Sequence, residues 1–372
     1  REDFDRLVSC LGDTVCRSSG QFHREKFRAA CRRDPLGPNG PSLQDALTIK
    51  TVRFVQQLCG GREEMLALKK VSTSFKALAD SILMDYGIYV CGGSDALSGN
   101  PMRSTACYHS RDQVWESLPP PPVSPTGCAG ALLDGYIYVC GSFGEFGMAA
   151  QRFDVASRKW EQLAPMNKRR AGSAAAIAGG QLYVCGGEDT PENQVHDSVE
   201  LFDALAPNPR FAHRSGVWRI LPTTMSARRR HFGAAAIAGA GRQDLLLCGG
   251  TATPTGRQAE GPVALASAEA LELLEPGPRL RRLPPMPGPR YNHVVAGLRG
   301  RVYACGGNTG DGVALSSVDC YDPPTAAWAT CPPMPLARIC AAATVAAGRL
   351  LVLGGLRSLH PGALAERAVQ RF

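Results

Sequence analysis

Six times along this chain of 372 residues a short apolar run stops at a glycine doublet or its near match: Gly92-Gly93, Gly141-Ser142, Gly186-Gly187, Gly249-Gly250, Gly306-Gly307 and Gly354-Gly355. The first members lie 49, 45, 63, 57 and 48 residues apart, inside or near the window of propeller blades and too long for most helical repeats. A repeat of this kind constrains the fold far more than the function, because repeat folds carry their sites in variable loops.

The residues around each doublet repeat as well. Gly87–Cys91, Tyr136–Cys140, Gln181–Cys185, Asp244–Cys248, Arg301–Cys305 and Arg349–Leu353 are short apolar runs suited to a buried strand. A polar stretch follows, then a run ending near an acid, as in Gln151–Asp154, Val199–Asp203 and Val318–Asp322, which reads as a third strand. The four tryptophans, Trp115, Trp160, Trp218 and Trp328, fall at one phase and open a fourth strand, with Leu280 in the equivalent place of a further unit. Pro-Met pairs follow at Pro165-Met166, Pro285-Met286 and Pro333-Met334, then an arginine at Arg170, Arg230, Arg290 or Arg338, and an Ala/Val-rich run that supplies the first strand of the next unit.

Glycine doublet, aromatic-acid pair and spaced tryptophan, recurring in this order, resemble the kelch family. The resemblance covers roughly residues 66–372 and implies an all-β, six-bladed β-propeller of four-stranded blades. Single units depart from the pattern: Ser142 replaces a glycine, Pro125 replaces the arginine, and the first strand of the first unit, around Lys76 to Met84, is weak.

The chain ends at Glu366–Phe372, which matches a third strand, so the last unit needs a fourth strand from elsewhere. Residues 65–71 are the expected donor, and such closure would remove an exposed sheet edge. The expected organisation is therefore a propeller over 64–372 preceded by an N-terminal extension, 1–60, of unassigned role. Within it Asp3–Cys16 and Phe22–Arg33 have helix-compatible composition, and the segment from Pro35 to Pro41 interrupts it. The opening Arg1 is compatible with a fragment that lacks a preceding domain.

Glycine permits positive φ and close backbone approach, which accounts for the doublets without invoking a ligand. The tryptophans read as wedges between blades. Cys91, Cys140, Cys185, Cys248 and Cys305 share one register before a doublet, which marks a small buried residue; no CxxC pair accompanies them. The recurrent arginines, serving every unit alike, read as donors to backbone carbonyls between blades.

At 44% hydrophobic residues the chain can bury a large core. It holds no apolar run of 18 residues and no basic-then-apolar leader, so neither a membrane partner nor a signal peptide is expected. Cysteines placed as core residues favour a reducing compartment, with the cytoplasm as the expectation. The net charge of +8 gathers at Lys168–Arg170, Arg228–His231 and Arg279–Arg282, but without interleaved aromatics or zinc-finger spacing, nucleic acid is disfavoured as a partner.

In kelch proteins peptide partners bind the end of the propeller that collects the loops between strands two and three and the loops between blades. Carried onto this chain, the resemblance implies Asp95, Phe143, Glu188, Asp189, Asn308 and Arg357 after the doublets, and Thr126, His231, Phe232, Tyr291 and Asn292 after the recurrent arginine. Aromatics supply contact area and Asn, Arg and carboxylates fix orientation. Ala171-Gly172 and Ile339-Cys340 replace the family's ligand-reading arginines, which weakens any carried-over preference for an acidic motif.

No GxSxG elbow, HExxH or phosphate-binding loop occurs, and the seven histidines lack metal spacing. No cofactor, metal ligand or catalytic residue is expected. His231 with Tyr291 is the nearest candidate for a copper pair. The primary expectation is an interaction module that binds a segment of another protein, in the family often as a substrate-recruiting adaptor of a cullin-type ubiquitin ligase or as an actin-attached scaffold. The alternative is a propeller enzyme, a carbohydrate-active enzyme or a metal-dependent oxidase, which requires Glu188, His231 and Arg357 to converge at the axis.

Overall fold

The computed structural model describes residues 87–94, 100–110, 112–204, 206, 215–238, 242–252, 263–274, 277–310, 313–358 and 369–371. The chain divides into two compact units, 1–87 with 109–113 and 88–108 with 114–372; the account below concerns the second. The extension 1–60, the weak strand at 76–84, Asp95 and the closing strand expected at 65–71 lie outside the described residues.

Every described sheet is antiparallel and built from strands adjacent in sequence. The first holds β1 (Gly87–Cys91), β2 (Thr105–His109) and β3 (Val114–Leu118). The second runs β4 (Ala129–Leu133), β5 (Tyr136–Cys140), β6 (Ala150–Asp154) and β7 (Lys159–Gln162). In the third, β8 (Ala174–Ala178) and β9 (Gln181–Cys185) are followed in the chain by a separate short ribbon of β10 (Glu188–Asp189) and β11 (Gln194–Val195), after which the first outer strand pairs directly onto β9. Its outer strands are β12 (Val199–Asp203) and β13 (Val217–Ile220).

The fourth sheet repeats the arrangement with β14 (Gly233–Ala238) and β15 (Gln243–Cys248), a ribbon of β16 (Thr251–Ala252) and β17 (Val263–Ala264), then β18 (Ala268–Glu272) and β19 (Arg279–Leu283). The fifth holds β20 (Val294–Leu298), β21 (Arg301–Cys305), β22 (Val318–Asp322) and β23 (Ala327–Cys331). The last holds β24 (Ala342–Ala346), β25 (Arg349–Leu353) and β26 (Val369–Arg371). The doublets end the second strands and the tryptophans open the fourth strands, as their phases require. The final run pairs as a third strand, Leu353 opposite Val369.

The first strands lie side by side in succession, β4 against β8, β8 against β14, β14 against β20 and β20 against β24. This is an all-β β-propeller, and its count corrects an expectation. Among the described residues five blades carry an axial strand, not six, and the described part of the first doublet's sheet begins at its second strand, β1. Axial strands are rich in alanine, as in Ala174–Ala178, since converging blades leave little width for side chains there.

Large apolar residues fill the space between neighbouring sheets. Tyr183 and Cys185 of β9 share a buried cluster with Leu245 and Leu247 of β15, Leu271 of β18, Met225 and Phe232. The tryptophans join blades in two ways. Trp218 packs on Phe202 with ring centroids 4.8 Å apart, and its indole N–H donates across to the carbonyl of Ala164 at 2.9 Å. Trp160 and Trp328 repeat this on Pro119 and Pro284, each at 2.9 Å. Leu280 sits opposite Leu271 as Trp218 sits opposite Phe202, so it fills the same slot without the hydrogen bond.

The doublets are explained by contact with the next blade. Gly186 holds φ +57°, and a Cβ on it would stand 2.5 Å from the carbonyl oxygen of Arg229. The N–H of its neighbour Gly187 donates to that same oxygen at 3.0 Å. Gly249-Gly250 repeats the pair of contacts on Arg290, and Gly306-Gly307 on Arg338. Each of these three blades thus hangs its doublet on the arginine carbonyl of its successor, at a first position where only glycine fits.

The arginine side chains are structural, but they work within a blade rather than between blades. Arg170 donates to the carbonyls of Gly186 and Ser198 at 2.6 and 2.9 Å and pairs with Glu200 at 3.0 Å. In the fourth sheet the residue that does this is Arg229, fully buried and 3.2 Å from Glu269, and not the expected Arg230. Arg290 pairs with Asp319 likewise. Where Pro125 replaces the arginine, the acid is also gone: Gln151 stands at that register and exchanges two hydrogen bonds with the backbone of Val123, at 3.1 and 2.9 Å. A carboxylate is buried at this position only where a guanidinium neutralises it.

Candidate functional site

The loops that follow the doublets and those that precede the axial strands meet at one end of each blade, and the backbone fixes how they meet. Glu188 and Ala171 exchange two hydrogen bonds of 2.9 Å. Thr251 with Arg230, Asn308 with Tyr291 and Leu356 with Ile339 form the same isolated bridge, and the Phe143 N–H donates to Thr126 at 3.0 Å. Sequence reasoning placed Phe143, Glu188, Asn308, Thr126 and Tyr291 in these loops; the backbone pairs Asn308 with Tyr291 and Phe143 with Thr126, while Glu188 pairs with Ala171.

One residue further on, the blades are joined to one another. The N–H of Gly172 donates to the carbonyl of Gly127 at 2.8 Å, His231 to Gly172 at 2.7 Å, Asn292 to His231 at 2.9 Å, and Cys340 to Asn292 at 3.0 Å. All five members of this belt hold positive φ, between 52° and 65°, which orients each amide toward the preceding blade. The region suits glycine and asparagine and is costly for His231 and Cys340. Side chains rise above the belt at two places where it is bare. The Phe143 ring lies against Gly127 and the His231 ring against Gly172, and a Cβ on either glycine would stand 2.3 or 2.7 Å from the ring. The two rings are 6.4 Å apart between centroids.

Beside these rings Glu188, 4% exposed, is ion-paired with the guanidinium of Arg230. The His231 Nε2 lies 3.9 Å from the other carboxylate oxygen. Burial and the Arg230 charge hold the His231 pKa down at about 4, so its ring is neutral at physiological pH. Asp189 is buried next in sequence. The turn at Gly144–Met148 follows Phe143, carries exposed Phe146, and is tied down by the Gly144 N–H donating to Thr190 Oγ1 at 3.0 Å. Arg169 donates to the carbonyls of Gly144 and Glu145 at 3.3 and 3.1 Å.

The remaining expected residues divide by depth. Tyr291 and Asn308 are buried, Asn292 and Thr126 are half-buried, and Arg357 is exposed. Phe232 is buried in the core between the third and fourth sheets and does not face the loops. Arg230 takes the place beside His231 that the sequence reading gave to Phe232. The run Arg228–Arg230 hid the phase, but a second spacing reveals it. Met166, Met225, Met286 and Met334 each precede the buried arginine by four residues, which selects Arg229 and frees Arg230 for the loop face.

Thr126 Oγ1, Thr251 Oγ1 and both polar side-chain atoms of Asn308 are buried without a hydrogen-bond partner. Thr251 and Asn308 occupy equivalent positions after their doublets, and Thr126 stands on the other side of the same kind of contact. Among the described residues no three His, Cys, Asp or Glu side chains are grouped to hold a metal ion, and no described helix is long and apolar enough to cross a membrane. Desolvation pushes the thiols of Cys185, Cys248 and Cys305 up to about 12, as expected of core thiols rather than ligands or nucleophiles.

Comparison with known proteins supports the repeat. The family described as Kelch motif matches residues 81–122, 169–225 and 289–335. Human kelch-like protein 35 is 42% identical over 69 residues, 18% of this chain and 12% of that protein. Human kelch-like protein 33 is 31% identical over 142 residues, 38% of this chain and 25% of that protein. The matched stretches are thus a quarter or less of those relatives' lengths. The solved structure of YjhT superposes with a TM-score of 0.57 at 13% identity, covering 77% of this chain and 93% of that one, and establishes a shared fold.

Proposed function

We propose that this kelch-repeat chain is a protein-interaction module whose loop end binds a segment of a partner protein. The observation that carries the reading is the grouping of exposed Phe143 and Phe146 beside the Glu188, Arg230 and His231 cluster, on a backbone belt that fixes their spacing. Rigid aromatics with a few polar groups at fixed positions are the composition of a recognition surface. The similarity to kelch-like proteins supports the same class, and recruitment of substrates to a cullin-type ubiquitin ligase, or attachment to actin in the cytoplasm, are the finer forms of the proposal.

Catalysis is the second reading, because carboxylate, imidazole and guanidinium do converge, with Arg230 in the role expected of Arg357. The chemistry argues against it. Arg230 already occupies the Glu188 carboxylate, and an imidazole with a pKa near 4 is a weak general base at neutral pH.

The test is affinity capture with the intact chain and with a Phe143→Ala/Phe146→Ala/Arg230→Ala variant shown to be folded by circular dichroism. Partners held by the wild type and lost by the variant support the reading, and a cullin or actin among them selects the finer form. Identical captured sets from both proteins overturn the assignment of this face.

A further inference from the structure

The loop face carries arginines, and a basic propeller face invites an acidic partner. We infer that this face instead selects an uncharged segment, one bearing an aromatic or aliphatic anchor, and that Glu188 sets that selectivity. The inference rests on the interaction reading above and names the chemistry of its partner.

Two observations converge. The first is charge. Arg230 stands beside His231 and is paired with Glu188, a carboxylate with 5% side-chain exposure. His231 adds no charge, and Asp189 is a second buried carboxylate beside Glu188. A partner carboxylate reaching Arg230 must displace one already held in the same molecule, whose effective concentration is about millimolar or higher. It would also approach two buried acids, a like-charge contact that works against the wrong partner.

The second is apolar surface. Phe143 and Phe146 are 40% and 44% exposed, on a turn that two arginine hydrogen bonds and the Thr190 contact hold in place. A pre-positioned pair of rings favours an aromatic or aliphatic anchor in the partner.

The position of Glu188 explains how one residue can decide this. It sits where Thr251 and Asn308 sit in the next blades, bridged through its backbone to Ala171. Replacing its side chain therefore removes the charge without removing a strand pairing.

The test pans a random dodecapeptide phage library on the whole chain, wild type and Glu188→Gln, with Phe143→Ala/Phe146→Ala to map the face. Wild type is expected to enrich peptides rich in aromatic or aliphatic residues, with no more Asp and Glu than the starting library, each losing at least tenfold in affinity on the double-alanine variant. Glu188→Gln is expected to enrich acidic peptides, and a synthetic peptide from that pool should bind it at least tenfold tighter than wild type. The affinity of the wild-type peptides should also change less than twofold between 50 and 500 mM salt, a readout that does not depend on any variant folding. Asp/Glu-rich peptides selected by wild type and lost on the double-alanine variant overturn this inference alone. Peptides that ignore the double-alanine variant, or no enrichment by either protein, overturn the interaction face itself.

Discussion

The guanidinium of Arg170 meets the carboxylate of Glu200 at 3.0 Å with neither side chain reaching solvent. Glu200 also accepts the backbone N–H groups of Asn167 and Lys168, at 2.8 and 3.1 Å. The pair therefore fixes both the axial loop and the third strand of one blade.

Glu200→Ala should lower stability by about 3–5 kcal/mol, because it strands a buried cation as well as several donors. Arg170→Met with Glu200→Leu should cost less than Glu200→Ala alone, since no charge is left uncompensated. The more solvated pair of Arg152 and Glu161, 2.7 Å apart with side chains 17% and 42% exposed, is the control: Glu161→Ala should cost about 1 kcal/mol, well below the loss at Glu200. Urea midpoints of the four proteins decide it, and equal losses at Glu200 and Glu161 would remove the structural role given to the recurrent arginine.

The doublet contact makes a sharp prediction at Gly249. It holds φ +67°, and a Cβ there would stand 2.6 Å from both the Arg290 carbonyl oxygen and the His293 ring. Gly249→Ala should cost about 2 kcal/mol or more, adding the left-handed penalty to a clash with backbone. Gly288, where a Cβ meets nothing within 4 Å, should accept alanine with no loss, or gain up to about 1 kcal/mol. Thermal denaturation compares the two directly.

Tryptophans at one sequence phase should differ in worth according to what covers them. Trp218 is 6% exposed and bonded to the neighbouring blade, and Trp218→Ala should cost about 3–5 kcal/mol. Trp115 is 51% exposed, and its alanine variant should lose roughly half as much or less, in proportion to the smaller buried area. A larger loss at Trp115, read by the same urea titration, would show that its ring is covered in solution.

Much of this architecture is legible in the residues, because the repeat imposes the same physical demand at the same phase. The glycine pairs mark a carbonyl pressed against the chain, the pre-doublet cysteines a buried slot, and the Phe202 and Trp218 spacing a cross-strand pair. What the sequence hides is local. Three consecutive arginines at 228–230 conceal which one turns inward, and only the four-residue interval from Met225 identifies Arg229. The blade count was read from six doublets, but a doublet certifies a second strand and not the axial strand before it, and among the described residues the first sheet begins at β1. The belt through Gly127, Gly172, His231, Asn292 and Cys340 has no side-chain signature at all, since its bonds are backbone and its members share only a positive φ.

Three histidines, buried His196 and His293 and half-buried His231, give the fold an acid-sensitive side. Burial and neighbouring cations lower the pKa of His231 to about 4, of His293 to about 3, and of His196 by a smaller amount. His293 also has Nδ1 unpartnered and Nε2 3.9 Å from the Cys248 sulfur, and its backbone contact with Cys248 offsets only part of the lowering. In the unfolded chain these rings titrate near pH 6.5, and the unfolded state therefore binds more protons than the native state between pH 6.5 and about 3. Stability is fully present above that window and is lost as the pH falls through it. Urea midpoints at pH 7.5, 6.0, 5.0 and 4.0 should decline steadily, and His293→Gln, which cannot take up a proton, should decline less steeply between pH 6.0 and 4.0. A midpoint constant to pH 5.0, or a variant with the wild-type slope, would mean that His293 is as readily protonated in the folded protein as in the unfolded chain.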